Sequence, residues 1–140
     1  MSDDGQVPIA PELAAEIARD PWTRSMGIEY VTIARGYCQA ALTLAPEMVN
    51  YQGRPHGGVI FTLADAAFAA ACNSHGVPAV ALNVTVSYIG VAEPGARLVA
   101  EACEVRQGRR AGFYDVTVRA ADSGRVIAFA HCVAHRVASD

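Results

Sequence analysis

From Gly57 to Asn73 the chain reads GGVIFTLADAAFAAACN, with Asp65 as its only charge. A helix that is apolar all round is a buried one. The pattern predicts a single long helix from about Gly57 to Ser74, stopped by Gly76 and Pro78. Beyond Pro78 the period changes. Val80, Leu82, Val84, Val86 and Tyr88 alternate with Ala81, Asn83, Thr85 and Ser87, the pattern of a half-buried strand. Turns at Glu93-Pro94-Gly95, Gln107-Gly108 and Asp122-Ser123-Gly124 set off further strands at Arg97–Arg106, Gly112–Ala121 and Arg125–Val137. Regular turns of this kind predict an antiparallel meander. Upstream, residues 1–8 read as a loose tail, and Pro11 opens a short helix, PELAAEIARD, that Pro21 ends. A strand pair follows, Ile28–Ala34 and Tyr37–Leu44, turning at Arg35-Gly36. A polar loop from Asn50 to Pro55 then leads into the long helix.

These elements define an α+β domain. A nearly all-apolar helix needs cover on most sides, and one curved antiparallel sheet can wrap it. The expected organisation is an N-terminal tail and short helix over residues 1–25, then a single domain over 26–140. A sheet this small leaves one flank of the helix open, which favours pairing with a second copy.

Composition narrows the function. The chain has 140 residues, 52% of them hydrophobic, and a net charge of −3. No basic run exceeds Arg109-Arg110, so a nucleic-acid partner is not expected. The N-terminus, MSDDGQVP, lacks the apolar core of a signal peptide, and the apolar stretch is short for a bilayer span. A cytoplasmic protein without a membrane partner is expected. Cys38, Cys72, Cys103 and Cys132 form no CxxC pair and are expected to be reduced and mostly buried.

Asp65 is the strongest chemical signal. An isolated carboxylate in an apolar segment costs several kcal/mol or shifts its pKa. The helix also opens on His56-Gly57-Gly58, a bare-backbone N-terminus suited to a developing negative charge. A carboxylate together with an oxyanion-binding helix end suggests acyl transfer or hydrolysis. Eight residues separate Gly57 from Asp65, about 12 Å along a helix axis. One small carbonyl cannot easily touch both. A two-fold dimer with neighbouring antiparallel helices solves this, and Ala64, Ala66, Ala67, Ala69, Ala70 and Ala71 would permit close approach. His56 is a candidate for substrate contact or for ordering the loop. His131 and His135 lie about 13 Å apart along a strand, too far to chelate, and no metal is assigned. His75 at the helix end suits the dipole. Cys72 has no base beside it and reads as core. GxSxG, GxGxxG and GxxxxGK motifs are absent from the sequence.

The segment Met48-Val49-Asn50 through His56-Gly57-Gly58, then Leu63-Ala64-Asp65 and on to Ala71-Cys72-Asn73-Ser74, resembles the hotdog-fold acyl-CoA thioesterases. More narrowly it resembles the phenylacetate-pathway thioesterase family. The Asn–x5–His-Gly-Gly–x6–Asp pattern carries the likeness, which extends through Gly112-Phe113-Tyr114-Asp115-Val116 and His135-Arg136. The resemblance implies hydrolysis of phenylacetyl-CoA or its ring-hydroxylated forms, with coenzyme A as part of the substrate and no other cofactor. It implies Asp65 as general base or nucleophile, Gly57 as the oxyanion-binding amide, and Asn50 and His56 as motif residues. Some relatives carry Thr after the catalytic Asp, where this chain has Ala66. Candidate substrate contacts are Gly58, Tyr51, Phe61 and Phe68 for the acyl group. Arg109 and Arg110, then Arg54, are candidates for the nucleotide. A homodimer, paired again into a tetramer, is the expected assembly. The alternatives are a hotdog hydratase or dehydratase and a non-catalytic acyl-CoA-binding domain.

Overall fold

The computed structural model describes residues 5–137. Its elements run α1 (Pro11–Ala18), α2 (Pro21–Ser25), β1 (Glu29–Ala34), β2 (Tyr37–Thr43), α3 (Gly57–Asn73), β3 (Ala79–Tyr88), β4 (Arg97–Gln107), β5 (Ala111–Ala120) and β6 (Val126–Arg136). The six strands form one antiparallel sheet in the order β1-β2-β4-β5-β6-β3. That sheet wraps α3, as the hotdog expectation requires.

Two expectations change. Pro21 does not simply end the first helix but opens a second, because Asp20 accepts the Thr23 N–H at 3.0 Å as its N-cap. The expected meander holds only for β4, β5 and β6. The connector 89–96 carries the chain from β3, at the sheet's edge beside β6, to β4 in the middle. Register shifts interrupt the ladder at Tyr30/Thr32, Ala81/Asn83, Glu104/Arg106 and Val118/Arg119. Bulges of this kind bend and twist strands, and here they curl the sheet round the helix. The bulge after Ala81 also breaks the alternation expected in β3. Val84 and Val86 are half-buried, while Val80, Leu82 and Tyr88 are exposed.

The core lies between α3 and the concave face of the sheet. Ala64, Ala66, Ala67, Ala70 and Ala71 are buried there, opposite Ala40, Ala100, Ala102, Ala128 and Ala130. Small residues on both surfaces let the helix sit close to the sheet. The alanines of α3 therefore serve packing within the chain, and only Ala69 of the expected set is exposed. Leu63 and Phe68 fill the remaining volume. Phe68 is 1% exposed and packs at a tilt on Tyr114, with ring centroids 5.7 Å apart.

Polar contacts fix the C-terminal end of the helix. The Ser74 hydroxyl accepts the Gly36 N–H at 2.7 Å from the β1–β2 turn, where Gly36 has φ +67°. The Asn73 amide bonds both backbone groups of Ala79 at the start of β3. Phe68→Ala should cost about 3–5 kcal/mol of stability. A denaturant midpoint close to that of the wild type would show that Phe68 is not core.

Candidate active site

The sheet covers most of α3 but leaves one stripe open. At helical spacing that stripe holds Gly58, Phe61, Thr62, Asp65, Ala69 and Asn73, which with Gly57 and Val59 are the exposed or half-buried positions of the helix. Helices α1 and α2 lie beside it and close a crevice of ≈ 650 Å³. Asp65 lines this crevice with Thr62, Ala66 and Ala69 on its own helix, facing Leu13, Ile17, Asp20, Trp22, Thr23 and Tyr30. Among the described residues the Asp65 carboxylate accepts no hydrogen bond. Burial holds its carboxyl above the ordinary aspartate range, and the negative charge of Asp20 adds to the shift. The result is a half-buried carboxylate that stays open to the crevice.

The N-terminal end of α3 forms a second group. His56 is the N-cap, its Nδ1 accepting the Gly58 N–H at 2.9 Å. Its own N–H donates to the Met48 carbonyl. The Tyr88 hydroxyl donates to the Gly57 carbonyl at 3.1 Å. The Gly57 N–H has no acceptor among the described residues, so one amide at the positive end of the helix stays available. Asn50 orders the loop: its Oδ1 accepts the N–H groups of Gln52 at 2.9 Å and Arg54 at 3.2 Å. Among the described residues its Nδ2 donates to nothing.

The structure thus brings Asn50, His56, Gly57 and Gly58 together at one end of α3 and sets Asp65 on the open stripe further along. The other candidates lie elsewhere. Tyr51 is 96% exposed at the loop tip with Arg54 nearby on the same loop, and Phe61 is exposed on the stripe. Phe68 faces the sheet and does not line the crevice. Arg109 and Arg110 are exposed in the β4–β5 turn. That turn adjoins the end of β6 and the start of β3, beside the C-terminal end of α3, whereas Gly57 meets the far end of β3 at Tyr88. They stand at the opposite end of the helix from Gly57 of the same chain.

Burial pushes the Cys72 thiol up to about 12, which leaves it almost entirely protonated at neutral pH. All four cysteines are free, and Cys103 is the exposed one. His131 pairs with Asp115 at 2.7 Å, and His75 pairs with Glu104. Among the described residues no three His, Cys, Asp or Glu side chains gather as a metal site would need. No helix among them is long and apolar enough to cross a membrane.

Sequence reasoning missed the wall of the crevice opposite Asp65. The signal was present in Asp20-Pro21-Trp22-Thr23, where a capping residue precedes a proline at the first helical position.

One helix wrapped by a six-stranded antiparallel sheet is the hotdog fold. The model of the Thioesterase superfamily matches residues 52–127, and the chain belongs to that family. It is a thioester hydrolase, and the hydratase, dehydratase and non-catalytic alternatives give way to this assignment. Acyl-coenzyme A thioesterase PaaI from Escherichia coli strain K12 is 35% identical over 99 residues, 71% of this chain and 71% of its own length. Human acyl-coenzyme A thioesterase 13 is 29% identical over 103 residues, 72% of this chain and 74% of its own. The structure of the Escherichia coli PaaI protein from the phenylacetic acid degradation operon superposes with a TM-score of 0.85 at 30% identity. It covers 91% of this chain and 96% of that one.

The raised pKa of Asp65 has a stability consequence. The folded protein binds this proton more tightly than the unfolded chain does, so stability falls as pH rises from the ordinary aspartate range through the raised folded value. Asp65→Asn removes that loss. The variant should melt above the wild type at neutral pH, and the difference should shrink to nothing near about pH 3, where both states are protonated. Equal melting temperatures at neutral pH would contradict the shift.

Proposed function

We propose that the protein hydrolyses acyl-coenzyme A thioesters, with phenylacetyl-CoA or a ring-hydroxylated phenylacetyl-CoA as the preferred substrate. The observation that carries the reading is Asp65, an unpaired, half-buried carboxylate lining a crevice on the one open stripe of α3. The names of the related acyl-coenzyme A thioesterases support the CoA ester, and the operon of the Escherichia coli structure supports the aryl-acetyl group. No cofactor is invoked beyond the coenzyme A of the substrate. The four free cysteines fit a reducing compartment and support a cytoplasmic location.

The chemistry asks for little. A thioester carbonyl is electrophilic and its thiolate leaves readily. The Gly57 N–H holds the carbonyl oxygen as it becomes an oxyanion, worth roughly 10²–10³ in rate. Asp65 takes a proton from water, which attacks the carbonyl carbon, for roughly 10²–10⁴ more. The rival route is direct attack by the carboxylate, giving an anhydride that water then opens. In this reading Asn50, on the loop before α3, and His56, the N-cap of α3, supply further polar contacts to the thioester. Arg54, on the loop that leads to Gly57, is the first choice for the nucleotide phosphates, ahead of Arg109 and Arg110.

The site is read as shared between two copies. Gly57 and Asp65 of one chain lie about 12 Å apart along the helix, so the amide of one subunit serves the carboxylate of another. The edge of the sheet supports the pairing. Beyond β6, strand β3 has no strand partner among the described residues, and it exposes Val80, Leu82 and Tyr88, with Leu82 67% exposed. A free apolar edge is a template for another chain. At the opposite edge the N-terminal segment shields β1 through Pro8 and Val7.

Two measurements test this reading. Thiol release from a panel of CoA esters should be fastest, by kcat/KM, for an arylacetyl ester, and Asp65→Asn should lower kcat at least about 10²-fold. Near-native kcat in that variant would sink the role of Asp65, while preference for straight-chain esters would sink only the aryl assignment. Sedimentation should show a dimer or tetramer, and mixing Asp65→Asn subunits with Gly57→Trp subunits should restore part of the lost activity. A fully active monomer would end the shared-site reading.

A further inference from the structure

The wall of the crevice opposite Asp65 comes from a segment N-terminal to the residues that the superfamily model matches. The superfamily match covers residues 52–127, whereas α1 and α2 span Pro11–Ala18 and Pro21–Ser25. These two short helices are fastened to the domain. Asp20 caps α2 through the Thr23 N–H, and the Thr23 hydroxyl bonds the Tyr30 hydroxyl on β1 at 2.9 Å. The segment nevertheless leaves Trp22 65% exposed, a large apolar area to keep in water on a short helix.

The lining has a definite chemistry. Leu13, Ile17 and Trp22 bring apolar surface to the crevice, with Ala66 and Ala69 across from them on α3. Small residues on one side and bulky ones on the other leave a slot against Asp65. The charged residues at its border are Glu16, Asp20 and Asp65, with Arg19 as the single cation. The balance is acidic, and an anionic group entering the slot would meet two aspartates in a setting of reduced solvation. A neutral group would meet apolar surface and the polar side chains of Thr23, Tyr30, Thr62 and Asn73 without that repulsion. The volume, ≈ 650 Å³, is ample for an acyl group of aromatic-ring size.

We infer that the α1–α2 segment is the acyl-selectivity wall of this thioesterase. Leu13, Ile17 and Trp22 accept an uncharged, ring-sized acyl group, and Asp20 turns away acyl groups that end in a carboxylate. The inference rests on the acyl-CoA reading above and names the part of the chain that sets the acyl preference. Asp20 acts at a distance from the reacting atoms, as a specificity residue.

The test reads ratios of kcat/KM for acetyl-CoA, phenylacetyl-CoA and succinyl-CoA within each preparation, so that partial unfolding cancels. Ile17→Trp fills the slot and Trp22→Ala removes its rim. Each should lower the phenylacetyl-to-acetyl ratio at least about tenfold, the scale expected for a changed apolar pocket. Asp20→Asn keeps an N-cap of equal quality and should raise the succinyl-to-acetyl ratio about tenfold. Ratios unchanged in all three variants would overturn the inference and leave the acyl-CoA reading standing. A wild-type protein that cleaves none of the three esters would overturn both.

Discussion

A carboxylate can sit on an apolar helix only where water still reaches it, and the rest of this structure follows from that condition. Burying Asp65 fully among alanines would cost several kcal/mol or force it to stay protonated. Covering it with the sheet is therefore not an option, and the sheet stops short. The stripe through Gly58, Thr62, Asp65 and Ala69 stays open while Leu63, Ala64, Ala67, Phe68 and Ala71 are buried. The crevice is what remains once the helix has been packed on every side that carries no charge.

That partition depends on small residues. With alanine on both surfaces, α3 nests against the sheet, and four bulges curl the strands around it. Close packing also fixes the helix along its axis, through Ser74 and Asn73 at one end and through His56 and Tyr88 at the other. A helix pinned at both ends holds the Gly57 amide and the Asp65 carboxylate each in a fixed place on the domain. The proposed two-copy site draws on that fixity, since preorganised groups act without reorganising.

Most of the fold was legible because its signals are local. The long helix, the Gly36 turn and the boundaries of β4, β5 and β6 follow from glycine, proline and apolar period. Strand order was less so, since no residue in the connector 89–96 says that β3 will cross to the far edge. The bulge in β3 was hidden by a perfect alternation from Val80 to Tyr88, which the ladder with β6 overrides at Leu82. For the proposed site, isolation in the sequence singles out Asp65 and bare backbone singles out Gly57. Phe68 was misplaced because ring size says nothing about facing: it belongs to the core, and the crevice takes its indole from Trp22 in a segment read as a tail with one helix. Arg109 and Arg110 were adjacent and basic, but only the sheet register shows that their turn lies at the end of α3 away from Gly57.

The same geometry sets stability against the proposed chemistry of Asp65. Moving Asp65 deeper would raise its pKa further and make it a stronger base, but less of it would be ionised at neutral pH and folding would bear the added desolvation. Moving it outward would relieve the fold and return the carboxyl to an ordinary, weak base. Its position at the margin of the α3 packing, with Asp20 adding a second negative charge to the same crevice, is a compromise between these. The compromise also explains why the crevice is walled by two short helices rather than by the sheet. A wall joined to the core through Asp20, Thr23 and Tyr30 can shape the space beside the carboxylate without excluding the water that keeps it charged.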